Sequence, residues 1–171
     1  MEILLQRSVN ADVATPGGIT PLGQAIHRGH VDIVRLLLAA RAKTSNLPDV
    51  KGSTILHHAL ASTACAEILD IFLKRGVDIN ATDSNGATAL VHAVKVSNDD
   101  AVRVLIDLGA RQDLINNNSR TTLFYAVNLG NRDFAQELLK NHTDANKESS
   151  PRNLLCIAVT KGDKEIIELL L

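Results

Sequence analysis

Apolar residues come along this chain in short helical bursts, each followed by a polar break and a second burst. The stretch from Thr20 to Ala40, TPLGQAIHRGHVDIVRLLLAA, shows the pattern most clearly. Leu22, Ala25 and Ile26 stand at helical spacing, which predicts a first short helix. Thr20 is placed to cap it, because a threonine oxygen accepts a bond from a first-turn N–H. Pro21 suits the first helical position, where no N–H is needed. Gly29 can take the left-handed conformation that ends such a helix. Asp32 then opens a second helix at the positive end of its dipole. Ile33, Val34, Leu36, Leu37 and Leu38 make that second helix apolar on more than one face. Neither helix can hide its apolar surface alone, so the pair reads as one unit of a stack.

The unit returns as TILHHA from Thr54, TALVHA from Thr88, TTLFYA from Thr121 and NLLCIA from Asn153. The shared leucines Leu22, Leu56, Leu90, Leu123 and Leu155 are separated by 34, 34, 33 and 32 residues. A period near 33 carrying T-P-L-H-x-A resembles the ankyrin-repeat family over nearly the whole chain. The resemblance implies an all-α ankyrin-repeat solenoid of about five helix-turn-helix repeats with short β-hairpin loops. It predicts a single array over residues 1–171. Repeats fall at 15–48, 49–82, 83–115 and 116–147, residues 1–14 end a preceding repeat, and 148–171 form a truncated one. EILLQRSVNAD at the start and IIELLL at the end carry no polar cap, so the chain reads as a segment of a longer protein.

The repeats differ in their turns. DVKGST from Asp49 and DSNGAT from Asp83 each pair an aspartate, which can bond the backbone two residues on, with a glycine at the tip. NNNSRT from Asn116 and ESSPRN from Glu148 lack that glycine, so fingers four and five are the least well marked of the series. Repeat two carries one extra residue in Ala61–Cys65 before its outer helix. Ser97 stands where Gly29, Gly130 and Gly162 stand in other repeats. Gly76-Val77-Asp78-Ile79-Asn80 resembles the family's closing GADVN.

Composition changes this picture little. Hydrophobic residues at 45% and charged ones at 22% fit a folded chain, and aromatics at only 2% fit thin layers filled by Leu, Ile, Val and Ala. The net charge of −1 selects no partner by itself. Cys65 and Cys156 lie in different repeats with no metal-type spacing, and both are expected to be small buried residues. They point to a reducing compartment and an intracellular, cytoplasmic or nuclear setting. No apolar run reaches the length of about 18 residues that a membrane span needs, and MEILLQRS lacks the pattern of a signal peptide.

Candidate chemistry is sparse. His57 occupies the histidine of T-P-L-H, for which the resemblance implies a structural hydrogen bond between neighbouring loops. His58 and His92 follow at matching positions of successive repeats. The equivalents on either side are Gln24 and Tyr125, which falls short of the three or four ligands a metal needs. No nucleophile elbow, P-loop or paired carboxylates occur. The chain is therefore expected to be no enzyme, to need no cofactor and to hold no metal.

In the family, partners often lie on the concave face, built from finger tips and the exposed stripe of the inner helices. Carried across repeat by repeat, these positions include no aspartate or glutamate, though the chain has 19. They include Arg28, Lys51, Lys95, Arg120, Arg152 and Lys161, with His58, His92, Tyr125 and Leu129 beside them. The acids gather on the outer helices, with Asp49, Asp83 and Glu148 at the bases of the tips. A mildly basic groove favours an acidic partner through complementary potential, and Tyr125 is the candidate anchor within it. The expected function is a non-catalytic protein–protein interaction scaffold, monomeric, binding an acidic or phosphorylated protein segment. The alternatives are a regulatory ankyrin segment of a larger enzyme or channel, and an array that binds nucleotide or nucleic acid.

Overall fold

The computed structural model describes residues 11–16, 19–44, 52–140 and 154–171. It divides into two compact units, Met1–Ala81 and Thr82–Leu171, and the division falls at the expected start of the third repeat. Among the described residues every regular element is an α-helix, and the single β feature is an isolated bridge between Thr82 and Thr88.

In the first unit, α1 (Pro21–His27) and α2 (Val31–Ala39) form one antiparallel pair, and α3 (Ile55–Ala59) and α4 (Cys65–Leu73) form the next. Inner helix α1 packs on inner helix α3, and outer helix α2 on outer helix α4. Leu22 and Ile26 of α1, Val34 of α2, Leu56 of α3, and Ile68, Leu69 and Phe72 of α4 are all essentially inaccessible. Removing such side chains from water stabilises by roughly 1.5–3 kcal/mol each. The long apolar run of α2 resolves by its periodicity: Val34 and Leu38 are buried, Leu36 and Leu37 half-buried, and Ile33 exposed.

Thr20 caps α1 as its sequence implies, accepting from the Gly23 N–H at 3.1 Å. Thr54 does so through a capping box with His57, whose Nδ1 accepts the Thr54 N–H at 3.2 Å. His57 thus bonds to the N-cap of its own helix. The extra residue of repeat two is taken up in the loop between α3 and α4. There Ser62 is buried and accepts from the Ala64 N–H at 3.2 Å. That loop closes on Gly29, which has φ +69°; a Cβ there would sit 2.3 Å from Thr63 Oγ1. Glycine is required at this point both by the backbone and by the lack of room.

The second unit holds three pairs: α5 (Ala89–Lys95) with α6 (Asp99–Asp107), α7 (Thr122–Leu129) with α8 (Arg132–Lys140), and α9 (Leu154–Lys161) with α10 (Lys164–Leu170). Inner helices pack in the order α5, α7, α9, and α8 packs on α10. Thr88 and Thr121 cap α5 and α7, accepting from Val91 at 3.3 Å and Phe124 at 3.2 Å. The outer helices are capped by Asn98, Asn131 and Asp163, which accept from Ala101, Phe134 and Ile166.

The fourth finger, though it lacks the glycine, makes the same turn as the third. Asp83 Oδ1 accepts from the N–H groups of Asn85 and Ala87, both at 2.9 Å. Asn116 Oδ1 accepts from Asn118 at 3.0 Å and Arg120 at 3.1 Å in the same way. An asparagine side-chain oxygen serves this turn as well as a carboxylate does. Ser119 takes the place of Gly86 and adopts φ 57°. Ser97 and Arg41 likewise hold φ 54° and φ 61° where other repeats use glycine. The fifth finger lies outside the described residues.

Candidate functional site

The repeat carries its chemistry to one stripe because the inner helices share a register. Position by position, Lys95 in α5 corresponds to Asn128 in α7 and Thr160 in α9, and His92 corresponds to Tyr125 and Ile157. In the second unit this brings Lys95, Arg120 and Tyr125 together. Lys95 Nζ lies 5.3 Å from the centroid of the Tyr125 ring, and the Arg120 guanidinium carbon lies 4.3 Å from that of Phe124. The two rings meet edge to face at 5.3 Å and 86°. Cation–ring contacts of this kind contribute about 0.5–1 kcal/mol when partly exposed. They hold the two cationic groups over the rings.

Tyr125 is half-buried, and its hydroxyl accepts a hydrogen bond from the Asn116 side-chain amide at 2.8 Å. Its ring is therefore fixed from three sides, by Asn116, Lys95 and Phe124. Lys95 and Lys161 are exposed at the last turns of α5 and α9, Leu129 is exposed at the end of α7, and Arg120 is half-buried at the finger. His92 is half-buried in α5. In the first unit Arg28 is exposed just past α1, and His58 is half-buried in α3. Lys51 and Arg152 lie outside the described residues.

No carboxylate among the described residues pairs with Arg28, Lys95, Arg120 or Lys161. The ion pairs lie elsewhere: Lys74 with Asp70 at 2.7 Å, Arg111 with Asp113 at 3.0 Å, Lys164 with Glu168 at 3.6 Å, and Arg132 with both Asp163 and Glu165 at 3.1 and 2.8 Å. The side-chain hydrogen bond from Asp113, and then its charge, hold the Arg111 guanidinium above its ordinary value. Asp163 and Glu165 do the same for Arg132. Burial pushes the Asp163 carboxyl up, but the Ile166 N–H and Arg132 outweigh it and leave the group below the usual carboxylate value. The acids expected on outer helices are there: Asp99, Asp100 and Asp107 in α6, Asp133 and Glu137 in α8, Glu165 and Glu168 in α10. Among the described residues no three of His, Cys, Asp or Glu gather in a way that could hold a metal ion.

Sequence reasoning missed a groove beside this stripe. Phe124, expected only to pack, is buried yet forms its floor, with Arg120, Asn128, Cys156, Ile157 and Lys161 around an accessible volume of about 460 Å³. Cys156, expected to be buried, is exposed in this groove, and Cys65 is half-buried. The signal was in the repeat alignment. Cys156 stands at the register position of Phe124, and a small side chain there leaves space that a ring would fill. Neither cysteine is in a disulfide. No helix among the described residues is long and apolar enough to cross a membrane.

The chain matches the family described as ankyrin repeats (3 copies) over residues 1–83 and 60–150. It is 28% identical to an ankyrin repeat protein of fowlpox virus over 141 residues, 82% of this chain and 23% of that protein. It is 32% identical to the ankyrin repeat protein nuc-2 of Neurospora crassa over 152 residues, 88% of this chain and 14% of that one. Human neurogenic locus notch homolog protein 1 is 34% identical over 123 residues, 72% of this chain and 5% of its own length. The chain thus spans less than a quarter of the length of these relatives. Ankyrin repeats are in general protein–protein interaction modules rather than catalysts. With its period, its capped helix pairs and its finger turns matching the family, this chain belongs to the ankyrin repeats.

Proposed function

We propose that this chain is a non-catalytic interaction scaffold whose inner-helix stripe binds an acidic or phosphorylated protein segment. One observation carries the reading. Lys95, Arg120 and Lys161 have no carboxylate partner among the described residues, and they share a stripe on which none of the described residues is acidic. Such cations leave a positive potential that an acidic segment neutralises, with faster encounter at low salt. The Tyr125 and Phe124 rings beneath Lys95 and Arg120 supply the apolar centre that such an interface needs. The cysteines, unbridged, suit the intracellular setting, cytoplasmic or nuclear, in which we place this activity.

The test uses the whole chain against three immobilised peptides: one rich in glutamate, one bearing phosphoserine, and a neutral one of the same length. Retention of either anionic peptide, weakened by salt and by Lys95→Glu with Arg120→Glu, supports the reading. Equal retention of the neutral peptide overturns it. Single-stranded oligonucleotide binding in place of peptide would assign the stripe to nucleic acid. Tyr125 argues against that, because Lys95 already lies over its ring, where a base would stack.

A further inference from the structure

We propose that the groove between α7 and α9 is an anchoring subsite for an acidic peptide. An aliphatic side chain rests on Phe124 and Ile157, and carboxylates on either side of it meet Arg120 and Lys161. The inference rests on the reading of the stripe above and adds the position and chemistry of its anchor.

The groove exists because two successive inner helices differ at two adjacent register positions. α7 has Phe124 where α9 has Cys156, and Tyr125 corresponds to the smaller Ile157. The aromatic side of the gap is thus filled and its opposite side is open. The resulting volume of about 460 Å³ falls within the range of roughly 300–1,000 Å³ typical of ligand-holding clefts. It exceeds what one small anion occupies.

The polar groups around it have one sign. Among the described residues Arg120 and Lys161 line it and no carboxylate does. Thr160 also lines it, but its hydroxyl is committed, donating to the Cys156 carbonyl at 2.7 Å. Among the described residues the donors left for a ligand are the two cations and the Asn128 amide, all of which favour an anionic acceptor. Arg120 lies over the Phe124 ring, so apolar surface and positive charge are adjacent. A free phosphate would satisfy the charge and leave the Phe124–Ile157 floor uncovered. A segment with an aliphatic residue flanked by glutamates covers both.

The probe is a dye-labelled peptide, Glu-Glu-Leu-Glu-Glu, titrated with the full chain and read by fluorescence anisotropy. Binding should weaken about tenfold with Lys161→Glu, with Arg120→Glu, and with serine in place of the peptide's leucine. A bulky maleimide on Cys156, in a Cys65→Ser background, should block the peptide to the same degree. Arg103→Glu, exposed on α6, should change it less than twofold. Circular dichroism and denaturation establish that each variant is folded. Should Arg120→Glu unfold the chain, Lys161→Glu and the Cys156 adduct still decide the matter. If Lys95→Glu abolishes binding while the adduct and Lys161→Glu leave it intact, the anchor is overturned and the stripe stands. A peptide that ignores every cation overturns both. Binding of the phosphoserine analogue alone overturns the assignment to carboxylates.

Discussion

The backbone N–H of Asn117 donates to the carbonyl oxygen of Asn85 at 2.9 Å, joining the tip of one finger to the tip of the next. The Asn117 side-chain amide adds a bond to the Ser84 carbonyl at 3.0 Å. The approach is close enough that a Cβ on Gly86 would lie 2.5 Å from Asn117 Oδ1 and 2.9 Å from its backbone nitrogen.

Gly86→Ala should therefore destabilise more than Gly109→Ala. Both glycines have positive φ, but around Gly109 nothing stands within 4 Å of an added Cβ. The backbone term alone is roughly 1–2 kcal/mol, and Gly86 adds the clash with Asn117. Urea denaturation of the two variants checks the order; equal losses would mean that the fingers part readily.

The opposite substitution should stabilise. Ser97 and Ser119 are held at φ 54° and φ 57°, in the left-handed region. Ser97→Gly and Ser119→Gly each relieve that strain and give back part of it as unfolded-chain entropy, for a net gain of about 0.5–1 kcal/mol. Serine-to-alanine variants at the same sites should show no gain.

Thr122 is buried at 1% exposure, and its hydroxyl has no hydrogen-bond partner among the described residues. Thr122→Val removes an unsatisfied polar group at nearly constant shape. It should raise stability by about 1 kcal/mol, measurable as a higher denaturation midpoint.

Acid should act on the last helix pair through Asp163. Its carboxyl sits below its unfolded value because the Ile166 N–H and Arg132 more than offset the effect of burial. A depressed carboxyl contributes stability that is present above the unfolded value, around pH 4, and is lost as pH falls through the folded one. Asp163→Asn keeps an N-cap oxygen but removes the titration. Its denaturation midpoint should depend less on pH below about 4 than that of the parent chain.

The repeats were legible in the sequence because period, caps and apolar spacing agree at several levels. Thr20, Thr88 and Thr121 cap as their positions imply, and Leu22, Leu56, Leu90 and Leu123 are buried. The fourth finger is weakly marked in the sequence because it lacks both the aspartate and the glycine of the second and third turns. The turn needs a side-chain oxygen and one left-handed residue, which Asn116 and Ser119 supply. The stripe of Lys95, Arg120 and Tyr125 was legible from register. The groove was not, because it depends on a difference in size between Phe124 and Cys156 that no single repeat displays.

The loop from Ser62 to Ala64, seated against Gly29, has a consequence for how these repeats could be recombined. An insertion in one repeat is absorbed by an empty space in its neighbour, so the two form a matched pair rather than interchangeable modules. In a shuffled array, a repeat with a larger residue in place of Gly29 would have no room for the longer loop. Set beside a shorter loop, Gly29 would face an unfilled notch. Sequence order along the array is in this way written into neighbour-to-neighbour fit, one joint at a time.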